Sequence, residues 1–378
     1  MSRHPWLKNA AAGWALGLVA LLSACSSSPS KPQPAALPAV SGGLTVSKAW
    51  SMRLGEITTP LQASVQGTRV VLASSQGMLL ELDAQNGQEL SRLQLKESIT
   101  AGVGSDGKRH AVVTSGNELV VVQDGREIWR QKLNAQTFTA PLVAGERVFV
   151  QTADRSVLGF DGASGQRLWS LPRNADPLVV RQSGILVAVG DALLAGNGGR
   201  LSAIQPLTGQ VRWDLVIGSS RGTNEVERLV DLVTGVSRQG QVVCVRSFQT
   251  AVGCVDTARG QVLWTRPAQG HQGLDGDETR VFGVESDSKL RAWSRQDGQP
   301  AWTNEQYRFR GLTAPRVWGP ALVFGDAQGL VHLLSREQGQ TLQRVTTDGT
   351  PVALQPVVAG RTLVIVNRSG LVSGWRVD

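Results

Sequence analysis

The sequence is poor in the residues from which metal centres and many catalytic sites are built. It has four histidines and three cysteines, and His4 and Cys25 fall within the first 25 residues. There is no HExxH or CxxC motif, and no two histidines have the spacing of metal ligands. We therefore expect no bound metal, no cofactor and no catalytic residue.

Long apolar runs are equally scarce, and the pronounced one lies at residues 10–24, after Arg3 and Lys8. It is too short to span a bilayer comfortably, and a basic start followed by a short apolar run is typical of an export signal. The run ends in Leu-Ser-Ala-Cys, which resembles the lipobox of bacterial lipoproteins. We predict a signal peptide at residues 1–24 and lipidation of Cys25.

Residues 25–42 are rich in serine, proline and alanine and have no periodicity. Such a composition predicts a flexible, lipid-anchored tether. In bacterial lipoproteins, an aspartate directly after the lipidated cysteine opposes sorting to the outer membrane. The residue after Cys25 is Ser26, which favours sorting to the outer membrane. Removal of the signal lowers the net charge from +8 to +6. Nucleic acid is not met after export, so this charge favours acidic partners or anionic head groups, unless it is only a solvated surface.

A repeat of about forty residues accounts for the remainder of the chain, which has no helical periodicity. Each copy has a short apolar strand, a turn that ends in glycine, and a strand that often carries tryptophan four positions later. Four strands with their turns need about this many residues. The glycines of the seven copies are Gly87, Gly125, Gly165, Gly209, Gly260, Gly298 and Gly339.

The chemistry of the repeat is structural. A glycine adopts the positive φ of the turn at little cost, and the tryptophan is expected to pack on the neighbouring blade. Ser91 and Gln343 replace the tryptophan in two copies, where we expect weaker packing. Trp50 lies 41 residues before Ser91 without a full copy of its own, so the N-terminal strand is predicted to complete the last blade. Residues 43–378 are therefore predicted to form an all-β, eight-bladed propeller of four-stranded antiparallel blades, with seven blades as the alternative.

Three further patterns are better explained as loops than as sites. The GxGxxG at residues 102–107 is followed by a strand, whereas a dinucleotide site needs a helix there. The GxSxG at residues 218–222 has neither the strand–turn–helix context nor a paired histidine. Asp275, Asp277 and Glu278 form an acidic cluster that lacks the spacing of an EF-hand.

Cys244 and Cys254 flank a candidate hairpin centred near Gln249. Symmetric placement would bring them opposite each other on adjacent strands, and an oxidising periplasm permits a disulfide. Two outcomes stay open, a structural disulfide or a pair of buried thiols.

The repeats resemble the quinoprotein-dehydrogenase type of propeller repeat, which enzymes share. Together with the lipobox and the tether, eight such repeats resemble the BamB family of outer-membrane assembly lipoproteins over essentially the whole chain. Two segments, 178–184 and 224–235, sharpen this resemblance. The residues on the family's two motifs are Leu178, Val180, Arg181, Arg228, Leu229 and Asp231.

The resemblance implies that these two segments bind the periplasmic domains of BamA, the β-barrel insertase of the β-barrel assembly (BAM) machinery. It also implies a non-enzymatic scaffold, on the periplasmic face of the outer membrane, that assists the folding and insertion of outer-membrane proteins. Independently of the resemblance, exposed strand edges of a propeller could pair with nascent outer-membrane protein strands by β-augmentation. Val180 replaces a leucine of the family pattern, and Val233 stands where some members have a second aspartate. Read without the resemblance, both segments suggest core residues beside a surface arginine.

Two other functions are compatible with a propeller. A quinone-cofactor dehydrogenase would need a Ca²⁺ cage, a catalytic aspartate and an aromatic sandwich around the cofactor. The chain is short for such an enzyme and lacks long inserted loops. The third reading is a propeller that binds peptidoglycan or another envelope protein.

Overall fold

The computed structural model describes residues 32–59, 61–173, 180–219 and 229–378. In these ranges the chain forms strands, turns and loops, and no helix long and apolar enough to cross a membrane occurs in them. The chain divides into residues 1–34 and a compact unit of residues 35–378. The following description concerns the second unit.

The strands are short, and the second and third strands of each blade are apolar and largely buried, as expected for sheets packed on both faces. In chain order they are β1 (Val46–Arg53), β2 (Ser64–Gln66), β3 (Arg69–Ala73), β4 (Met78–Asp83), β5 (Gln88–Gln94), β6 (Ile99–Ser105), β7 (Arg109–Thr114), β8 (Glu118–Gln123), β9 (Arg126–Lys132), β10 (Leu142–Ala144), β11 (Arg147–Gln151), β12 (Val157–Asp161), β13 (Arg167–Leu171), β14 (Leu186–Val189), β15 (Ala192–Asn197), β16 (Arg200–Ile204), β17 (Val211–Val216), β18 (Leu232–Gln239), β19 (Val242–Ser247), β20 (Ala251–Asp256), β21 (Gln261–Pro267), β22 (Leu274–Gly276), β23 (Arg280–Val284), β24 (Leu290–Ser294), β25 (Pro300–Asn304), β26 (Arg316–Trp318), β27 (Ala321–Gly325), β28 (Leu330–Ser335), β29 (Thr341–Thr346), β30 (Val357–Ala359), β31 (Thr362–Val366) and β32 (Leu371–Val377).

These strands form eight four-stranded antiparallel sheets. Blades one to seven each use four consecutive strands, from β2–β5 to β26–β29, and blade eight has the order β1-β32-β31-β30. The N-terminal strand therefore completes the last blade, with Val46 paired to Val377 and Arg53 to Leu371. The predicted eight-bladed propeller and its closure are confirmed, and the seven-bladed alternative is wrong.

The repeat places each tryptophan against the glycine of the next blade. A Cβ on these glycines would lie 2.5–2.9 Å from an indole atom, and all six glycines have a φ between +62° and +77°. The short distance requires glycine because a Cβ would overlap the indole, and the positive φ requires glycine for the turn. The packed pairs are Trp50–Gly87, Trp129–Gly165, Trp169–Gly209, Trp213–Gly260, Trp264–Gly298 and Trp302–Gly339.

The indole N–H groups also connect the blades. In five of the six pairs the indole nitrogen donates a hydrogen bond of 2.8–3.0 Å to a carbonyl oxygen of the next blade. Where Ser91 takes the tryptophan position, the space beside Gly125 is open to 4.0 Å. Where Gln343 takes it, the side-chain amide donates a hydrogen bond of 3.4 Å to the carbonyl of Leu44. Leu44 belongs to an apolar cluster with Trp318 and Trp375.

Residues 35–44, which we call the strap, comprise the end of the predicted tether and the two residues after it. They are bound to blade seven. The backbone N–H of Ala35 donates to the carbonyl of Arg308 at 2.9 Å, that of Ser41 donates to Thr341 at 2.8 Å, and Leu44 is buried. The signal peptide at residues 1–24 and the tether at residues 25–42 stay predictions, but residues 35–42 of that tether are held against the propeller and are not free.

Candidate functional site

The segments singled out in the sequence lie in two connections between blades. Residues 180–184 precede β14, and residues 229–231 precede β18. Because every blade is a four-stranded antiparallel sheet, all connections from a fourth strand to the next first strand emerge at one end of the ring, the interblade end. Leu178 and Arg228 lie outside the described residues.

Asp231 joins the two segments. One carboxylate oxygen accepts a hydrogen bond from the backbone N–H of Val180 at 2.9 Å. The other lies 3.1 Å from a guanidinium nitrogen of Arg155, and both side chains are largely buried. The carbonyl of Asp231 accepts the N–H of Phe248 at 2.8 Å. Asp231 is thus a positioning residue, because it holds the backbone of Val180 and of Phe248, in the turn between β19 and β20, in fixed positions.

The two segments are also bonded to each other further along the chain. The N–H of Thr234 donates to the carbonyl of Ser183 at 2.8 Å. The amide of Gln62, in the connection just before β2 of blade one, donates to the hydroxyls of both Ser183 and Thr234. Blade one lies across the ring from blade five, so this amide bridges the central axis at the interblade end.

Within residues 180–184 and 229–233, few large side chains reach solvent. Arg181 is exposed, and Val180 and Leu229 are half-buried. Val233, at the family's variable aspartate position, is buried on β18 opposite Arg246. Among the described residues of the two segments, the combination is one exposed cation beside three partly exposed apolar groups, Val180, Leu229 and Val230.

Two hollows lie at this end of the ring. The smaller, of about 50 Å³, is lined by residues that include Val180, Arg155 and Asp231. It has room for a few water molecules. The larger is an open groove of about 1010 Å³ beside Leu229 and Phe248. Glu285, Asp287, Lys289 and Arg291 are among its lining residues, so its charge is mixed.

A buried charge pair beside the groove was not predicted. The guanidinium of Arg246 is fully buried, 3.6 Å from Glu285 and 5.9 Å from the ring centre of Trp293. Burial lowers the pKa of Arg246, while Glu285 opposes this effect. A Cβ at Gly270 or Gly283 would overlap the guanidinium, so these glycines make the space that it fills. No sequence pattern indicates this pair, because Arg246 stands alone in an ordinary apolar strand.

The patterns explained as loops are used structurally. Residues 102–107 are the end of β6 and a hairpin turn. The carboxylate of Asp277 accepts the N–H groups of Thr279 and Arg280 at 2.9 and 2.8 Å. In the described ranges no group of three or more metal-binding side chains comes together. Of the GxSxG, residues 220–222 lie outside the described part of the chain.

Cys244 and Cys254 are directly opposite each other on β19 and β20, and their sulfur atoms are joined. Both side chains are fully buried. A cross-strand bond at this place would connect the two middle strands of blade five, so its role would be structural.

Comparison with known proteins adds to this geometry. The family model of the outer membrane protein assembly factor BamB matches residues 75–304, more than half of the chain. This chain belongs to the BamB family. The BamB of Burkholderia pseudomallei is 34% identical over 363 residues, which cover 95% of each chain. The repeat and the eight blades of this chain are therefore those of a BamB-type propeller.

Solved structures agree with this fold. BamB from Moraxella catarrhalis superposes with a TM-score of 0.80 at 24% identity, over 88% of this chain and all of that one. The quinohemoprotein alcohol dehydrogenase from Comamonas testosteroni reaches 0.66 at 13% identity, over 88% of this chain and 76% of that one. The dehydrogenase likeness extends to the propeller alone.

Proposed function

We propose that this chain is a non-enzymatic scaffold lipoprotein of the BAM machinery. It binds the periplasmic domains of BamA through the interblade end and assists the folding and insertion of outer-membrane proteins. Family membership supports the assembly role, because the relatives are named outer membrane protein assembly factors. The observation that carries the proposed surface is Asp231, which unites the two motif-bearing segments.

The chemistry of this surface suits a protein partner. An exposed arginine beside partly exposed apolar side chains is a combination enriched at binding hot spots. The segments are fixed by several hydrogen bonds, so little conformational entropy is lost when a partner binds. Arg181 is the residue that we expect to contribute most, with Val180 and Leu229 as its apolar surround. Leu178 and Arg228 complete the proposed contact set.

The test is crosslinking in an envelope extract. A photoreactive residue at Arg181 should capture a BamA-like protein, and one at Arg167 should not. Arg167 is the matched control, because it is also an exposed arginine but begins β13 at the other end of the ring. Charge reversal by Arg181→Glu should weaken binding of the periplasmic domains about 30-fold, the loss expected of a hot spot worth ~2 kcal/mol. Equal capture from both positions would contradict the proposed surface.

The location follows from the N-terminal sequence. We propose export, lipidation of Cys25 and attachment to the periplasmic face of the outer membrane. Cys25→Ser should move the protein from the outer-membrane fraction to the soluble periplasmic fraction. A wild-type protein without the added lipid mass would contradict this part of the proposal.

The dehydrogenase alternative fits the axis poorly. The Gln62 amide bonds to Ser183 and Thr234 across the ring, so protein side chains occupy the axis at the interblade end. The cavity of about 50 Å³ is far smaller than the 300–1,000 Å³ typical of organic ligand sites. The open groove of about 1010 Å³ is large enough, but Phe248 is the one aromatic residue in its lining, so it offers no aromatic sandwich. A visible absorption band after incubation with quinone cofactor and Ca²⁺ would favour the enzyme instead.

A further inference from the structure

Side chains of blade seven and of the connection before it form a binding site that holds the strap. Arg310, which is only 4% exposed, donates a hydrogen bond of 2.9 Å to the carbonyl of Ala35. Arg344 donates one of 2.7 Å to the carbonyl of Pro38. Ser41 donates its N–H and its hydroxyl to the carbonyl of Thr341. The strap is thus held at every third residue, the period of an extended proline-rich chain.

The arginines that hold the strap are themselves fixed by buried groups. Arg310 donates to the carboxylate of Asp326 at 2.9 Å, and Asp326 and His332 are both fully buried and 3.0 Å apart. Arg344 donates to the other ring nitrogen of His332 at 3.3 Å. Removal of the strap would leave a buried guanidinium N–H without its acceptor, at a cost of about 1–3 kcal/mol. The strap is therefore part of the fold.

The strap has a defined direction. Arg308 and Arg310 lie in the connection between β25 and β26, which is at the interblade end. Thr341 begins β29, directly after the turn at the opposite end. The strap therefore runs antiparallel to β29 along its outer edge, over a distance of ~20 Å for six residues. The chain enters the propeller at the interblade end.

We infer that the strap makes the interblade end the membrane-facing end of the ring. The inference rests on the proposed lipid anchor at Cys25. Ten residues separate Cys25 from Ala35, and they span at most ~36 Å. If the strap were free, the tether would extend from Cys25 to Val46, could reach ~70 Å and would favour neither end. With the strap bound, a lipid surface lies on the same side as residues 180–184 and 229–231.

The strap itself is tested by hydrogen exchange on the full mature protein. The amides of Ala35 and Ser41 should exchange at least tenfold more slowly than an unstructured chain, because both donate to carbonyls of blades six and seven. Arg344→Gln should raise the exchange at residues 35–41 and leave residues 180–184 unchanged. Random-coil exchange of residues 35–41 in the wild type would overturn the inference.

Orientation is tested by energy transfer from a labelled cysteine to acceptor lipids. The lipidated protein is reconstituted in vesicles of phosphatidylethanolamine and phosphatidylglycerol. A donor is placed at Gln306→Cys, at the interblade end beside the strap, or at Glu337→Cys, at the opposite end of blade seven; both positions are exposed. Cys244 and Cys254 are buried and bonded, so they do not take the label.

The two donors should differ. Transfer from position 306 should exceed that from position 337, and a ten-residue Gly-Ser insertion between residues 30 and 31 should reduce this difference. Equal transfer from both positions in the wild type, or greater transfer from position 337, would overturn the inference. Failure of the anchor would appear differently, because the protein would then not float with the vesicles at all.

Discussion

The most informative perturbation is Asp231→Ala. It removes the acceptor of the Val180 N–H, at 2.9 Å, and the ion-pair partner of Arg155, at 3.1 Å. A hydrogen bond to a charged group contributes about 1.5–3 kcal/mol. The Arg155 and Asp231 side chains are 13% and 18% exposed, so solvent screens the pair only in part. We expect the local opening of residues 180–184 to become easier by ~2 kcal/mol.

A change of ~2 kcal/mol corresponds to an approximately 30-fold faster amide exchange of residues 180–184. Asp231→Asn keeps an oxygen for the Val180 N–H but loses the charge, so a smaller increase of about fivefold is expected, for a loss of ~1 kcal/mol. The assay is hydrogen exchange with mass spectrometry on the folded protein. Crosslinking from Arg181 should fall in the same order.

Asp256→Ala is the matched control. That carboxylate also accepts backbone N–H groups, those of Ala258 and Arg259, both at 3.0 Å, but in a turn at the other end of the ring. It should leave residues 180–184 unchanged. If Asp231→Ala and wild type exchanged within twofold of each other at residues 180–184, Asp231 would not be the residue that joins the two segments.

Three further predictions concern stability. Trp264→Ala should lower the free energy of unfolding by about 3–5 kcal/mol, because it empties the contact with Gly298 and removes an interblade hydrogen bond. Replacing both Cys244 and Cys254 by alanine should cost about 2–3 kcal/mol through the lost constraint on a ten-residue separation. Burial lowers the pKa of His332 below 6.5, against the hydrogen bond that its ring N–H donates to Asp326. The unfolded chain therefore takes up the proton first as the pH falls, and stability that is complete above pH 6.5 should decrease by up to ~1.4 kcal/mol over the next pH unit.

Urea unfolding measures all three, with matched controls. Leu263→Ala changes the exposed neighbour of Trp264 and should cost less than ~1 kcal/mol. Dithiothreitol should lower the stability of the wild type under unfolding conditions and leave the double alanine variant unchanged. His332→Gln should flatten the loss between pH 6.5 and 5.5. A wild-type stability that rises in that interval would contradict the assigned burial effect.

The blades could be predicted because their signals are local. The turn glycines, such as Gly298, and the tryptophan four positions later recur at nearly fixed spacing, and each pair serves one turn and one interblade contact. The family motifs pointed to Val180, Arg181 and Asp231. They did not indicate that Asp231 acts through Arg155 and the Val180 backbone, because these partners lie in separate blades and carry no shared pattern.

The contacts of the strap could not be predicted from the sequence either. The composition of residues 25–42 indicates a tether, since serines, prolines and alanines supply little apolar area to bury. The carbonyls of Ala35 and Pro38 nevertheless meet Arg310 and Arg344, which follow 275 and 306 positions later. No window of sequence contains both sides of such a contact.

What the sequence determined by itself was the ring: the four-stranded repeat, the glycine–tryptophan seam and the closure by the N-terminal strand. Steric demands at a turn and at the adjacent seam act over a few residues, so they leave a periodic mark. The tertiary structure decided which side chains meet across blades, where the strap lies and which end of the ring the chain enters. These features depend on hydrogen bonds and buried charges between residues far apart in the chain, which come together only after the ring has closed.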